Sequence, residues 1–203
     1  MEIKQQNKVA LVKEKLSETI DYKTYKNVVS ELAKKGLSTS PEQTEVNSNF
    51  TKLNDARMRR LDKTIKVPDE IAEKFENFSG NHTWLVITES WCGDAAQSIP
   101  AMNRLAELSE GIDLRLIYRD THPDLMDAFL TNGVRSIPKL IVFDNTTDQI
   151  LSEWGSRPSA ATKLVNDYKA EHGVLTPEFK QDLQVWYNKD KGQSILQDLA
   201  ELI

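Results

Sequence analysis

The stretch Thr83-Trp84-Leu85-Val86-Ile87-Thr88-Glu89-Ser90-Trp91-Cys92-Gly93-Asp94-Ala95-Ala96 decides the fold. Trp84 to Thr88 is a short apolar run, partly β-branched and without alternation, which suits a strand buried on both faces. Residues 95–110 then read as a helix closed by Gly111. Cys92 therefore falls at the turn between a strand and a helix. In open sheets of this kind, sites form at the carboxyl ends of the strands.

Toward the C-terminus, Leu114, Leu116, Ile117 and Tyr118 mark a second strand, and residues 123–130 a helix ended by Thr131-Asn132-Gly133. Residues 140–143 form a third strand, 144–148 a turn and 149–154 a returning strand, as in a hairpin. Residues 159–172 read as a helix closed by Gly173, and Thr176-Pro177-Glu178 starts a final helical region. The order β-α-β-α-β-β-α between 84 and 172 implies an α/β domain with a mixed sheet flanked by helices. Toward the N-terminus, Val9, Val12, Leu16 and Ile20, then Val28, Val29 and Leu32, predict an amphipathic helix or helical pair, ended at Lys34-Lys35-Gly36. Residues 47–63 predict a helix with Phe50, Leu53, Met58 and Leu61 on its apolar side, and Pro68-Asp69-Glu70 opens another. The expected organisation is an N-terminal helical extension over 1–67 packed on the core, an α/β domain over 68–173 and a C-terminal helical extension over 174–203.

Of the 203 residues, 39% are hydrophobic and 28% charged, enough for a sizeable core. The net charge of -5 argues against nucleic-acid binding. It is unevenly spread: residues 1–66 hold 14 basic and 9 acidic side chains, and the remainder 12 and 22. Solvated helix faces and a basic segment lying on an acidic body both fit this split. The single cysteine excludes an internal disulfide. The first residues carry no apolar signal-peptide core, and no apolar run approaches the ~20 residues of a spanning helix. A cytoplasmic protein without nucleic-acid or membrane partners is expected.

Cys92 at a helix N-terminus is a candidate nucleophile, because unpaired N–H groups there favour the thiolate. A buried, inert thiol is the other fate of a lone cysteine. Trp91-Cys92-Gly93-Asp94-Ala95 resembles the thioredoxin active-site run Trp-Cys-Gly-Pro-Cys, and Gly133-Val134-Arg135-Ser136-Ile137-Pro138 resembles the segment before that family's cis-proline. The resemblance spans roughly residues 68–172. It is nearest to thioredoxin-family proteins that carry Trp-Cys-Gly-Asp-Ala in place of the Cys-x-x-Cys motif. It implies a thioredoxin fold, a cis peptide before Pro138 and a substrate groove shaped by Trp91, Gly93, Ile137 and Pro138.

Two departures bear on activity. Ala95 stands where the family has its resolving cysteine, so this site cannot run a dithiol cycle, and Val86 stands where many thioredoxins keep a buried acid. Asp94 replaces the proline. It reads either as a cap or first-turn acid or as a functional acid–base or electrostatic group, and with Glu89 it opposes ionisation of Cys92. Arg119, Asp120 and His122 fall on the same edge if the second strand is parallel to the first. The ligand set is incomplete for a metal, and no cofactor is expected. The leading reading is a monothiol protein exchanging disulfides through Cys92 with a protein or low-molecular-weight thiol. The alternative is a non-enzymatic binding module with a vestigial cysteine. A third reading, an enzyme using Asp94 or Glu89 as acid–base, needs a pocket with paired carboxylates. An exposed Cys92 with a low pKa favours exchange, and a buried, protonated one favours the binding module.

Overall fold

The apolar run around Trp84 becomes β1 (His82–Thr88), every residue of which is buried. The computed structural model describes residues 2–203, with side chains from residue 5 onward. β1 pairs in parallel with β2 (Ile112–Tyr118) on one side and antiparallel with β3 (Lys139–Asp144) on the other. β3 pairs antiparallel with β4 (Gln149–Gly155), giving the order β2-β1-β3-β4. The central position of β1 explains its unbroken apolar character: both faces are covered, and Trp84, Leu85, Val86 and Ile87 are fully buried. Each such side chain contributes about 1.5–3 kcal/mol of transfer free energy. β4 is the outer strand and alternates in exposure, as a one-sided strand should. The free edge of β2 is partly closed by Ile20, whose N–H donates to Leu116 O at 2.9 Å and whose carbonyl accepts from Leu116 N at 2.8 Å.

Helices surround this sheet. In chain order they are α1 (Glu2–Lys15), α2 (Tyr22–Lys35), α3 (Glu45–Thr64), α4 (Asp69–Glu76), α5 (Gly93–Ala106), α6 (Pro123–Ala128), α7 (Ser159–His172), α8 (Pro177–Asp190) and α9 (Gln193–Ala200). α1 and α2 are separated by a 3-10 turn at Leu16–Glu18, so the N-terminal periodicity belongs to a helical pair. Asp21 caps α2 through Thr24 N, and Gly36 ends it in the left-handed region at φ 66°. α2 packs on α3, α3 runs along α5, and α9 fits against α4, α5 and α7.

Three local expectations change. The helix expected to reach residue 110 stops at Ala106, ahead of Gly111. The buried face of α3 holds Thr51, Asn54, Asp55, Met58 and Leu61, while Phe50 and Leu53 remain 45% and 52% exposed. The reason is polar: Thr51 and Asn54 are drawn inward by hydrogen bonds to Ser90, which rotates Phe50 and Leu53 toward solvent. The C-terminal helical region is two helices, joined at Lys191 and Gly192, both at positive φ.

Candidate functional site

β1 and the parallel β2 end at the same edge, and β3 begins there. That edge gathers Cys92 after β1, Arg119 and Asp120 after β2, and Ile137 and Pro138 before β3. Cys92 is the N-cap of α5, and its sulfur is the capping acceptor, receiving the Ala95 N–H at 3.4 Å. The thiol donates to the Ile137 carbonyl at 3.3 Å. The Ile137–Pro138 peptide is cis. Gly155 at the end of β4 packs against the same proline. A Cβ at Gly155 would lie 2.1 Å from Pro138 O, and its φ is 128°, so only glycine fits there.

Cys92 is 8% exposed. Burial, reinforced by the Asp94 charge, pushes its thiol up to about 12, against the Ala95 and Asp94 N–H groups and Arg157, which pull it down. The thiolate is strongly disfavoured at pH 7 relative to an ordinary cysteine. In this conformation Cys92 is therefore a neutral thiol.

The cover comes from outside β1 and α5. Asp94 does not cap the helix, because the sulfur already does. Its carboxylate instead meets Arg157 Nη2 at 2.7 Å and accepts from Tyr187 Oη at 3.0 Å. Burial raises the Asp94 carboxyl, with Arg157 acting in opposition. Burial likewise lifts the Tyr187 hydroxyl well above its ordinary range. From α8, Gln184 Oε1 accepts from Gln97 Nε2 at 3.0 Å. From α3, Arg57 donates to Asn54 Oδ1 at 2.8 Å. A Cβ at Gly93 would lie 3.4 Å from Arg57 Nη1 and 3.6 Å from Gln184 Nε2, so the two side chains close over Gly93. Burial lowers the Arg57 guanidinium, and the Asp94 charge works the other way.

Glu89 lies on the opposite side of the turn and is fully buried. It accepts from the Asp120 N–H at 2.8 Å and from the Thr39 hydroxyl. Thr39 and Ser90 bond each other's backbone, at 2.9 Å to Thr39 Oγ1 and 3.0 Å to Ser90 Oγ. Desolvation raises the Glu89 carboxyl, and these donors restrain the rise. Asp120 also accepts from Ser40 at 2.9 Å and pairs with Arg119 at 2.7 Å. The Arg119 guanidinium sits 4.6 Å over the Trp91 ring.

The edge thus holds Trp91, Cys92, Gly93, Asp94, Ile137 and Pro138 together, with Glu89 beneath them in its own network. His122 is engaged elsewhere. It is buried, with Nδ1 against Tyr118 O at 2.8 Å and Nε2 against Glu18 at 3.1 Å. Tyr187 and Gln184 went unread in the sequence. The one usable signal there was that Leu183 and Tyr187 share a helical face. Among the described residues no cluster of three or more metal-ligating side chains occurs, and no helix is long and apolar enough to cross a membrane.

A strand–helix turn carrying a cysteine beside a cis-proline, on a sheet of order β2-β1-β3-β4, defines the thioredoxin-like class. Residues 40–169 match the family model described as thioredoxin, and the chain belongs to that family. The match takes in α3 as well as the α/β elements through α7. Among solved structures, a protein of unknown function from Pseudomonas aeruginosa is similar, at 18% identity and a TM-score of 0.57, with 90% of this chain and 96% of that one covered. An HIV epitope-scaffold is similar at 17% identity and a TM-score of 0.55, with 90% and 97% covered. These likenesses concern the fold. No curated protein matches the chain.

Proposed function

We propose that this thioredoxin-family protein performs monothiol exchange at Cys92, with a protein or low-molecular-weight disulfide as partner, and belongs among those carrying Trp-Cys-Gly-Asp-Ala. The observation that carries this reading is the core-side setting of the sulfur. It caps α5, takes the Ala95 N–H and lies against the Ile137 carbonyl next to Pro138. The Ala95 and Asp94 N–H groups and Arg157 favour the thiolate once water reaches it, since the largest cause of its high pKa is desolvation, while the Ile137 carbonyl holds the neutral thiol at rest. The Cys92 thiolate attacks one sulfur of R–S–S–R′, forming Cys92–S–S–R and releasing R′–S⁻, which takes a proton from solvent. A thiolate R″–S⁻ from solution then attacks the sulfur that carries R, breaking the bond to Cys92, re-forming the Cys92 thiolate and releasing R–S–S–R″. No net oxidation of the protein occurs, and Ala95 makes the external thiol obligatory. Trp91, Gly93, Ile137 and Pro138 form the groove in this reading, and Asp94 is an electrostatic group that holds the thiol protonated at rest. The single cysteine supports a reducing, cytoplasmic setting. Residues 1–67 and 174–203 serve as helical additions around 68–173.

The burial of Cys92 favours a second reading, a binding module with a silent cysteine. One experiment separates them. Reduced protein incubated with bis(2-hydroxyethyl) disulfide should gain one adduct at Cys92 by mass, stable until a thiol is added. Ala95→Cys should form an internal disulfide and reduce insulin in the presence of a dithiol. A native Cys92 that resists disulfides and alkylating agents until the chain unfolds, together with an inert Ala95→Cys, establishes the binding module.

A further inference from the structure

We propose that α8 is a lid: a hinged segment between Gly173 and Gly192 that covers Cys92 when closed and admits a partner when it swings away. This rests on the exchange reading for its purpose, but its grounds are the packing of the two C-terminal helices. α8 has 14 residues and buries two of them, Leu183 and Tyr187. α9 has eight residues and buries Ile195, Leu196 and Leu199. α9 is also pinned by Asp198, which accepts from Trp154 Nε1 at 3.1 Å, Ser159 N at 2.7 Å and Ser159 Oγ at 2.7 Å. α8 also rests Phe179 and Trp186 against the core and bonds Ser194 of α9 through Asp190, but the shorter α9 is the more firmly fixed of the two. Stability is not uniform along a chain, and segments with few buried anchors open first.

The joints suit such a motion. Gly173 stands at φ 77° and Gly192 at φ 83°, with Lys191 at φ 54° beside it. A Cβ at Gly173 would meet nothing within 4 Å, so the chain turns there in open space. At its start α8 leans on α7 through Phe179, stacked 4.0 Å from Tyr168, and through Thr176, whose hydroxyl lies 3.1 Å from Tyr168 Oη. Over the site it is held by Tyr187 on Asp94 and Gln184 on Gln97.

Asp94 makes opening feasible. When Tyr187 leaves, the carboxylate keeps Arg157 at 2.7 Å, so no buried charge is orphaned. Arg157 belongs to the loop before α7, not to the lid. Opening removes Tyr187 and Gln184 and leaves Arg57 on α3, so water and a disulfide reach Cys92 from the α8 side while the Ala95 N–H and the start of α5 stay in place. Uncovering the thiol and activating it are then a single event.

The single cysteine gives a clean readout in the full chain. Iodoacetamide alkylation of Cys92 should be slow in the wild type and at least about tenfold faster in Leu183→Ala, with Tyr187→Phe faster by a smaller factor. Tyr187→Phe keeps the ring and so guards against simple misfolding. The wild-type rate should rise only shallowly with sub-denaturing urea, and α8 amides should exchange faster than those of α9. Equal rates in wild type and both variants would overturn the lid, as would acceleration that tracks the loss of global stability. Bis(2-hydroxyethyl) disulfide then separates this proposal from the one it rests on. Fast alkylation of the variants without a mixed disulfide keeps the lid and removes the exchange reading. A wild type that alkylates as fast as a free thiol keeps exchange and removes the lid.

Discussion

Glu89 and Asp94 stand five positions apart, on either side of Cys92, and burial raises both carboxyls. Their partners differ in kind. Glu89 is met by neutral donors, the Asp120 N–H and the Thr39 hydroxyl, and so ties the segment before α3 to the end of β1. Asp94 is met by a cation and a phenol, Arg157 and Tyr187, and so ties the C-terminal part of the chain to the start of α5. One carboxylate is held by neutral donors in a network that joins the Thr39 segment to the ends of β1 and β2. The other places its charge beside the sulfur and is the second cause of the raised Cys92 pKa. Two acids that look equivalent in sequence thus divide into a fastener and a tuner, and the division follows from what each is bonded to.

The largest effect should come from cutting the fastener. Glu89→Ala leaves the Asp120 N–H and the Thr39 hydroxyl without their acceptor and opens a void, at a cost of about 3 kcal/mol. For a chain of this size that lowers the melting temperature by on the order of 5–10 °C. Glu89→Gln keeps an acceptor and should cost less. The pH dependence sharpens the test. The folded carboxyl holds its proton above the ordinary 4.5, so its contribution is complete below that value and is lost as pH rises. The wild-type advantage over Glu89→Gln in urea unfolding should therefore narrow as pH climbs from about 4.5. A constant gap, or no loss of stability in Glu89→Ala, would return Glu89 to the candidates for acid–base work.

The tuner should cost less and change the thiol more. Asp94→Asn removes the charge that Arg157 faces. Arg157 is partly exposed, so the loss should be about 1–2 kcal/mol, below that of a fully buried pair. At the same time the pH profile of Cys92 alkylation should move toward lower pH, because a repelling charge is gone. If the profile stays put while stability falls, Asp94 fastens as Glu89 does and the contrast between them collapses.

How much of this was legible depends on distance along the chain. The buried run at Trp84, the helix over 159–172 and the glycine stop at Gly36 are local signals, and a window of a few residues contains their causes. The turn that carries Cys92 follows from the strand and helix on either side of it. Periodicity ranks apolar side chains and so places Phe50 and Leu53 on the inner face of α3, where the structure has Thr51 and Asn54. Here Thr51 and Asn54 win the inner positions by bonding Ser90, some 36 to 39 residues away. The cover over Cys92 is further still: Tyr187 reaches Asp94 across 93 positions. Nothing in the local pattern of α8 distinguishes a tyrosine that bonds a buried carboxylate from one that fills a groove.

The smallest effect is a pH-dependent loss assigned to the thiol itself. In the folded chain Cys92 is pushed up to about 12, whereas its ordinary value is 9.0. Between those values the unfolded chain releases the proton and the folded chain keeps it, so stability falls as pH rises. At pH 10 the loss should be about 1 kcal/mol relative to pH 8. Lysines and tyrosines titrate in the same range, and a control that lacks only the thiol proton cancels them. Cys92→Ser supplies it, because serine does not ionise there. The gap between wild type and Cys92→Ser should therefore shift against the wild type by about 1 kcal/mol between pH 8 and pH 10, read from urea midpoints at each pH. In an Asp94→Asn background the same shift should persist nearly in full, because burial, the larger cause, still keeps the folded thiol protonated at pH 10, and a Glu89→Gln background should leave it unchanged. A shift absent from the wild type would mean that the thiol is solvated in the folded chain, and the cover described by Tyr187, Gln184 and Arg57 would then not be closed in solution.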